Sequence, residues 1–405
     1  MDCMRLICVL LAFVLTFDCS SPLHSQEVKS VTHVTFPMSV VGNTPIVTLT
    51  FNRPGGDIRT ARFIFDSGGG AIIFDQGLAN DLGLLPEGPI IASQGERYRR
   101  VHVPAAFAGG MPIDFGASHA FVHLGTNSFT NRVAVEGMLP GKAFEHYQVV
   151  LDYPRQLFSI GEPRSLQHRG TKLACPYIAS SGHPMIEVGL DRAKYEFLLD
   201  TGSNISLARV GMLKKWSKEH PNWPTSIGAA GPANDGAASD ADAFLLRIPA
   251  LQLGAFRLTQ IVAASRSDET YSPTSYETPA PIIGALGGNV LSRFRVEIDY
   301  PDHLLFLEPS GRKNADDFDT VGLVLSTNAA GQLVVRAVSS TASAVTRRNV
   351  QPGDIIVSIS GFDKAPRTLM KAVEALSGAV GERKQLRILR HGKPMRVTVT
   401  VARIL

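Results

Sequence analysis

Two short turns in the sequence combine a carboxylate, a hydroxyl group and a glycine. They are Asp66-Ser67-Gly68 and Asp200-Thr201-Gly202. Each turn follows an apolar run, residues 63–65 in one case and 197–199 in the other, and such runs predict buried strands. A carboxylate is seldom buried without a partner, so an acid at the mouth of a buried strand needs an explanation. Two carboxylates brought together would share one proton, and could act as a base towards water and an acid towards a carbonyl oxygen.

A single turn of this type has a simpler interpretation, because an Asp side chain often accepts backbone N–H hydrogen bonds and stabilises a turn. Two such turns, one in each copy of a duplicated chain, favour a functional interpretation. Pseudo-symmetry would bring equivalent residues of the two copies together where the copies meet. The sequence offers no other coherent chemistry. It has no Gly-x-Ser-x-Gly elbow, no phosphate-binding loop and no His-Glu-x-x-His spacing among its 11 histidines, so a zinc enzyme is not expected.

The sequence around the second turn repeats the sequence around the first. Phe63 matches Phe197, and Pro45 precedes the first turn as Pro184 precedes the second. Each copy then closes with a hydrophobic-rich element that ends in glycine, followed at the same interval by Asp-Tyr-Pro. The closing elements are Val135-Glu136-Gly137 with Asp152-Tyr153-Pro154, and Ile282-Ile283-Gly284 with Asp299-Tyr300-Pro301. Matched order and matched spacing predict an internal duplication with two similar halves.

Length, charge and the N-terminal segment limit the classes of protein that fit. The chain has 405 residues, enough for two or three domains, and its formal net charge of +4 is too small to predict a nucleic-acid or membrane partner. Residues 1–25 combine Arg5, an apolar stretch and a small-residue region, as a secretory signal peptide does, with cleavage expected near Ser25. The apolar stretch is too short for a membrane span, so the mature chain is expected to have none.

Cysteine usage bears on the compartment. Cys3, Cys8 and Cys19 lie in the predicted signal peptide, which would leave Cys175 alone in the mature chain. That chain could form no internal disulfide and no cysteine-based metal site. An exported protein of this kind fits a bacterium, either in the periplasm or secreted. A lipid anchor at Cys19 is the alternative, although Asp18 stands where a small residue is needed.

Hydrophobic periodicity predicts a mainly β body with a few short helices. Predicted strands include residues 45–51, 61–65, 72–74, 333–335, 355–359 and 395–401, and several short strands between 88 and 135. Helices are predicted at 75–84, with Asp75 as the cap, and at 368–376. The segment 216–242 is rich in Gly, Ala, Pro, Asn and Asp, so we predict a mobile loop or flap there.

Both halves resemble the retropepsin-like and pepsin-like aspartic proteases, through the paired acidic turns and the elements ending in glycine. The resemblance covers residues 30–308 and implies a mainly β fold, with two pseudo-symmetric acid-protease β-barrel lobes and a cleft between them. It implies that Asp66 and Asp200 are the catalytic pair. Two hydroxyl residues would hydrogen-bond across the interface, and two glycines would let the backbone approach the water and the substrate; these supporting residues are Ser67, Thr201, Gly68 and Gly202.

The sequence departs from the family pattern in several places. Glu136 replaces an apolar residue of the first closing element, and no flap tyrosine can be identified, since Tyr98 lies in a plausible hairpin but is interpreted as a surface residue. Short lobes without disulfides favour a tandem retropepsin-like bacterial enzyme. Asp152 and Asp299 also recur in both halves, but an Asp before Tyr-Pro at a strand end is typical of a structural turn.

Residues 321–405 resemble a PDZ domain of the bacterial protease type, through Pro352-Gly353-Asp354 and the apolar strand that follows. The resemblance implies that an extended chain end binds by strand addition, with a loop at Gly322, Leu323 and Val324 holding the peptide carboxylate. The implied domain order is a first lobe at 28–161, a linker at 162–176, a second lobe at 177–309, a linker at 310–320 and a small α+β PDZ-like domain at 321–405.

The sequence thus predicts an exported aspartic endopeptidase that hydrolyses peptide bonds with water activated by an Asp dyad, without metal or organic cofactor. Its partners would be a polypeptide substrate and a peptide C-terminus at the PDZ-like domain, which would recruit substrate or regulate access. Two alternatives stay open. One is a catalytically inactive peptide-binding or scaffold protein that keeps the protease fold, and the other is a related hydrolase acting on something other than protein.

Overall fold

The computed structural model describes residues 31–93, 96–125, 133–178, 180–271, 277–311, 318–361, 366 and 368–405. The chain divides into two compact units, Met1–Val31 and Thr32–Leu405, and the second unit contains every element below. The predicted signal peptide at 1–25, with Cys19, lies outside the described residues, as does part of the predicted linker at 310–320.

Strands dominate the described residues, which confirms the prediction of a mainly β protein. The first thirteen strands are β1 His33–Pro37, β2 Ser39–Val41, β3 Thr44–Asn52, β4 Ile58–Asp66, β5 Ile72–Phe74, β6 Glu87–Ser93, β7 Glu96–Val101, β8 Ala106–Ala108, β9 Met111–Ile113, β10 Ala120–His123, β11 Gly137–Pro140, β12 Gln148–Asp152 and β13 Leu157–Gly161. The next ten are β14 Thr171–Ala174, β15 Met185–Leu190, β16 Ala193–Leu199, β17 Ser206–Arg209, β18 Thr225–Ile227, β19 Phe244–Leu253, β20 Phe256–Arg266, β21 Ile282–Leu286, β22 Phe294–Asp299 and β23 Leu304–Pro309.

Among the described residues, the C-terminal region adds seven strands, and five α-helices occur in all. The strands are β24 Asp319–Thr320, β25 Leu323–Thr327, β26 Leu333–Val338, β27 Ile355–Ile359, β28 Arg383–Arg390, β29 Lys393–Thr400 and β30 Ala402–Arg403. The helices are α1 Gln76–Asp81, α2 Val210–Glu219, α3 Gly288–Leu291, α4 Ala344–Asn349 and α5 Leu369–Leu376. Single 3₁₀ turns occur at Gly141–Phe144, Gly231–Ala233, Ala238–Ala241 and Asp268–Tyr271.

A ten-stranded sheet and a seven-stranded sheet contain the same arrangement of five strands. The order is β3-β4-β11-β5-β10 in the ten-stranded sheet and β15-β16-β21-β17-β20 in the seven-stranded sheet. In both, the strand that ends at the acidic turn pairs in parallel with the closing strand. The closing strand pairs antiparallel with the next strand in the order, and that strand pairs in parallel with the last. The repeat in the sequence therefore corresponds to a repeated strand order.

The glycine of each closing strand is required by the same close contact. A β-carbon at Gly137 would lie 2.3 Å from the backbone oxygen of Ile73 and 2.5 Å from the ring of Phe63. A β-carbon at Gly284 would lie 2.3 Å from the backbone oxygen of Leu207 and 2.6 Å from the ring of Phe197. No larger side chain fits at either position without moving backbone, so these glycines hold the closing strands close to their neighbours.

A six-stranded sheet combines strands from both halves in the order β1-β13-β12-β22-β23-β14. Its two central strands pair antiparallel, with Gln148 opposite Asp299 and Asp152 opposite Arg295. Part of the predicted linker at 162–176 belongs to this sheet, because its residues Thr171–Ala174 form the edge strand β14.

The C-terminal region forms a five-stranded sheet in the order β25-β26-β27-β28-β29. Its apolar core is a cluster of its own that includes Val335, Ile356 and Val399, together with the buried face of α5. A second apolar cluster joins this region to the seven-stranded sheet, with Ala342 and Ile404 packed among residues such as Leu245.

The two helices predicted from short stretches of sequence are confirmed. Asp75 caps α1 by accepting a hydrogen bond from the Leu78 N–H at 2.6 Å, and α5 occupies most of the predicted 368–376. The predicted mobile loop at 216–242 is wrong. Helix α2 extends to Glu219, strand β18 follows, and the later part is buried, with Asn234 and Asp240 both fully inaccessible. The small residues there reflect close packing between chain segments and not disorder.

Candidate active site

The two acidic turns lie next to each other at the ends of equivalent strands. Asp66 is the last residue of β4, and Asp200 directly follows β16. The backbone of Asp200 is fixed from its own half, because its N–H donates to the Leu286 oxygen of the closing strand at 3.0 Å. Both aspartates keep part of their surface exposed, while Ser67 and Thr201 beside them are completely buried.

Reciprocal hydrogen bonds join the turns. The Ser67 N–H donates to Thr201 Oγ1 at 2.9 Å, and the Thr201 N–H donates to Ser67 Oγ at 3.0 Å. Each hydroxyl then donates across the interface to a backbone oxygen, Ser67 to Leu199 at 2.6 Å and Thr201 to Phe65 at 2.7 Å. These four buried bonds use every donor the two residues have, and they fix the separation of the two turns.

Each carboxyl group lies against the glycine of the opposite turn. A β-carbon at Gly202 would lie 2.3 Å from Asp66 Cγ, and one at Gly68 would lie 2.9 Å from Asp200 Cγ. Any larger residue at Gly202 would occupy the space of the Asp66 carboxyl group. Glycine is needed in both turns because the opposing acid approaches the backbone itself.

The two acids interact as a pair. Asp66 accepts the Gly68 N–H at 3.0 Å, and Asp200 accepts the Ser203 N–H at 3.0 Å. The protein packed around the Asp200 carboxyl raises its pKa well above the ordinary value, and the negative charge of Asp66 and a hydrogen bond to it raise it further. The arrangement favours one shared proton, because two adjacent carboxylates cannot both ionise at low cost.

Equivalent residues from each half approach the turn of the other half. Thr44, which precedes Pro45, donates to Asn204 Oδ1 at 2.8 Å beside the second turn. His183, which precedes Pro184, lies near Asp66 on the opposite side; burial lowers the pKa of its ring, and the charge of Asp66 partly offsets that effect. Burial therefore disfavours the protonated form of His183, although the ring lies near the Asp66 carboxyl group.

Two buried tyrosines complete the surroundings. Burial raises the pKa of the Tyr271 hydroxyl, and the nearby charge of Asp200 adds to the effect. Burial likewise raises the pKa of Tyr300, with smaller contributions from Cys175 and Asp66. Both phenols therefore favour the protonated form near the acids.

The structure brings six of the predicted site residues together and places three others elsewhere. The six are Asp66, Ser67, Gly68, Asp200, Thr201 and Gly202. Gly322, Leu323 and Val324 lie at the start of β25 and are buried. The N–H of the preceding Val321 donates to the oxygen of Leu376, the last residue of α5, at 3.0 Å. The segment predicted to hold a peptide carboxylate is therefore attached to the end of that helix.

The other recurring acids are structural, as the sequence predicted. Asp152 accepts the Arg155 N–H at 3.1 Å, and Asp299 accepts the Asp302 N–H at 3.2 Å, so each carboxylate stabilises the turn that follows its strand. Asp299 also accepts from the Gln148 amide at 3.0 Å within the six-stranded sheet.

Two departures from the family pattern have structural explanations. The Glu136 side chain is not buried among apolar groups, because it forms an ion pair with Arg59 and accepts the Arg62 N–H at 3.3 Å. Tyr98 lies in the β6–β7 hairpin, but its interpretation as a surface residue is wrong, because it is half-buried with its ring 5.2 Å from that of His123.

Sequence reasoning missed Thr44, Asn204 and His183. Each adjoins a motif that it did identify, the Pro of the opening strand or the acidic turn. Their position in the repeat was the available signal, although the residue types differ between the halves. Tyr271 carried no comparable signal, because its proximity to Asp200 depends on the packing of a 3₁₀ turn.

Comparison with known proteins does not name a family. The sequence matches no protein-family model, and no curated protein is similar enough to count as a match. Within the described residues, no three His, Cys, Asp or Glu side chains are grouped to hold a metal ion. In the same part of the chain, no helix combines the length and apolar character that crossing a bilayer requires.

Proposed function

We propose that this protein is an aspartic endopeptidase of the two-lobed, retropepsin-like type. The proposal rests on one observation, the pair of carboxyl groups that each lie against the glycine of the opposite turn and are locked by reciprocal Ser67–Thr201 hydrogen bonds. The repeated strand order supports interpreting the ten- and seven-stranded sheets as two lobes. The five-stranded sheet with α5 supports a PDZ-like domain. We also propose that the protein is exported, on the basis of the signal peptide predicted at residues 1–25.

The chemistry assigns different roles to the two acids. Asp200, with its raised pKa, holds the shared proton, and Asp66 is the base. Asp66 takes a proton from a water molecule, whose oxygen attacks the peptide carbonyl carbon, while Asp200 donates its proton to the carbonyl oxygen. The resulting tetrahedral intermediate breaks its C–N bond when the nitrogen receives the proton that Asp66 took, and a hydroxyl proton returns to Asp200. No covalent bond to the enzyme is needed.

The test measures cleavage of an unfolded polypeptide by the purified protein from acid to neutral pH. Asp66→Asn and Asp200→Asn are each expected to lower the cleavage rate by about 10²- to 10⁴-fold, since each removes one partner of the proton transfer. The double variant should be no slower than the slower single variant, because the two residues act as a unit.

Asp114→Asn is the matched control, because Asp114 is an exposed acid that accepts the Gly116 N–H at 2.9 Å in a surface turn. Cleavage that persists in either single dyad variant would contradict the proposal. A wild-type protein that cuts nothing at any pH but still binds peptide would favour the scaffold alternative.

A further inference from the structure

The five-stranded sheet has an edge strand that is occupied from within the same chain. Strand β25 is the first strand in the sheet order, and among the described residues no strand pairs with its outer side. Helix α5 contacts β25, so strand and helix border a groove. An edge strand of this kind offers unpaired N–H and C=O groups to an extended peptide.

Asn234 fills the place of a strand at this edge. Its side-chain amide donates to the Leu325 oxygen at 2.9 Å, and its Oδ1 accepts the Leu325 N–H at 2.7 Å. One side chain thus makes both hydrogen bonds that an added strand would make to that residue. Asn234 belongs to residues 229–241 of the seven-stranded half, here called the docking loop.

The docking loop is shaped around one buried carboxylate. Asp240 Oδ2 accepts the backbone N–H groups of Asp235 at 2.8 Å, Gly236 at 2.8 Å and Ala237 at 3.1 Å. It also accepts from Asn234 Nδ2 at 3.2 Å, so the amide that faces Leu325 is oriented by the same acid. The loop is therefore preorganised to present Asn234 to the sheet edge.

The docking loop also fills the helix side of the groove. Its 3₁₀ turn Gly231–Ala233 contacts α5, and a β-carbon at Gly236 would lie 2.8 Å from Leu369 Cδ2 at the start of that helix. Backbone therefore packs directly against the helix. An extended peptide cannot lie between β25 and α5 while the docking loop is in place.

The same loop and helix reach the catalytic turns. The negative charge of Asp235 contributes to raising the pKa of the Asp200 carboxyl group, and Arg266 Nη2 lies 3.4 Å from Asp235 Oδ2. On the helix, Met370 Sδ accepts a hydrogen bond from Asn204 Nδ2 at 3.2 Å. Asn204 lies two residues after the second acidic turn, so the helix side of the groove contacts a residue next to the site.

We propose that the docking loop is a built-in occupant of the groove between β25 and α5, which an extended polypeptide must displace in order to bind. Displacement would move the charge of Asp235, which acts on Asp200, and disturb the contact of Met370 with Asn204, so occupancy of the groove would change the rate of cleavage. This regulatory role rests on the proposed peptidase function, whereas the occupancy itself does not.

The binding experiment uses the full protein with Asp66→Asn, so that peptide is not cut. The probe is a short, unstructured fluorescent peptide with an apolar end and a free C-terminal carboxylate, followed by fluorescence anisotropy. Adding Asn234→Ala removes both competing bonds to Leu325 and is expected to tighten binding on the order of tenfold. Asn328→Ala is the matched control, since Asn328 lies in the exposed β25–β26 turn and bonds to Gln332; it should leave binding unchanged.

Hydrogen exchange gives a second readout that needs no loop variant. In the protein with native Asn234, saturating peptide should speed exchange of the Asp235 and Gly236 amides, because the loop that protects them is displaced. The inference is overturned if peptide binds without changing these amides, or if Asn234→Ala and Asn328→Ala bind alike. These results stand even if the protein cleaves nothing, so failure of the peptidase proposal and failure of this one can be told apart.

The link to the site is tested separately with native Asp66. The same peptide should change the rate at which a second, unfolded substrate is cut, and Asn234→Ala should show the changed rate without peptide. If neither the peptide nor Asn234→Ala changes the cleavage rate, the proposed coupling between the groove and the active site is wrong.

Discussion

Ser67 and Thr201 each donate a backbone N–H to the other's hydroxyl oxygen across 134 positions of sequence. The relationship is symmetric although one residue is Ser and the other Thr, because both supply the same hydroxyl at the same place. The extra methyl group of Thr201 is accommodated in a completely buried position. The two bonds set the distance between the acids, so the geometry of the site depends on the interface between the two halves.

Loss of one hydroxyl should therefore cost stability as well as activity. Thr201→Val leaves the buried Ser67 N–H and the Phe65 oxygen without this partner, which is expected to lower the free energy of unfolding by about 1–3 kcal/mol. Urea unfolding of the purified protein measures the change, with Thr201→Ser as the control that retains the hydroxyl. Equal urea midpoints for wild type and Thr201→Val would contradict the argument.

The shared proton predicts how stability varies with pH. The pKa of Asp200 is raised in the folded protein, so its contribution to stability is complete below the unfolded-state pKa and is lost as pH rises through the folded-state pKa. Asp200→Asn cannot titrate. The melting temperature of wild type relative to Asp200→Asn should thus fall with rising pH, and cleavage should decline over the same range. A difference in melting temperature that is constant with pH would count against the proton assignment.

The closing glycines predict a sharp steric effect. Gly284→Ala would place a methyl group 2.3 Å from the Leu207 oxygen, and the required shift is expected to cost about 1–3 kcal/mol or more. Gly55→Ala is the control, because nothing lies within 4 Å of its β-carbon, and a change within about 0.5 kcal/mol is expected. Denaturant unfolding compares the two variants. Similar losses in the free energy of unfolding would show that the close contact at Gly284 does not determine stability.

The docking loop should loosen as pH rises. Burial, followed by the negative charge of Asp235, raises the pKa of Asp240 to about 6, against the opposing effects of Arg266 and the hydrogen-bond donors. The stabilisation is complete below the unfolded-state pKa and is lost as pH rises through about 6. Exchange of the Gly236 amide, corrected for its intrinsic rate and compared with the Ala372 amide of α5, should accelerate above that pH. Asp240→Asn should remove the pH dependence, and its persistence there would contradict the assignment.

The sequence predicted the paired acids because the repeat carries two independent signals, the turns themselves and the spacing of the closing elements. Similarly, Asp75 indicated the start of a helix because an N-cap acts within one turn of chain. In each case the information lies within a short window or recurs in the second copy.

The docking loop could not be predicted in this way. Asn234 bonds to Leu325, 91 positions away, through a side chain that has no periodicity to reveal it. The abundance of small residues in 216–242 suggested mobility, yet a β-carbon at Gly228 would lie 3.3 Å from Ser339 Cα. Small side chains occur both in exposed mobile segments and in segments that are tightly packed. Composition alone does not distinguish the two.

The six-stranded sheet has a consequence for how the molecule forms. Its central pair joins residues 148–152 to residues 295–299, so neither half can complete this sheet alone. Contacts of such high sequence separation form slowly, because a long loop must close before they repay its entropy. During synthesis, Asp66 emerges long before the strands that give it a partner. The nascent first half therefore has an open sheet edge until most of the chain has been made, and the second acidic turn of the proposed active site is missing for most of that time.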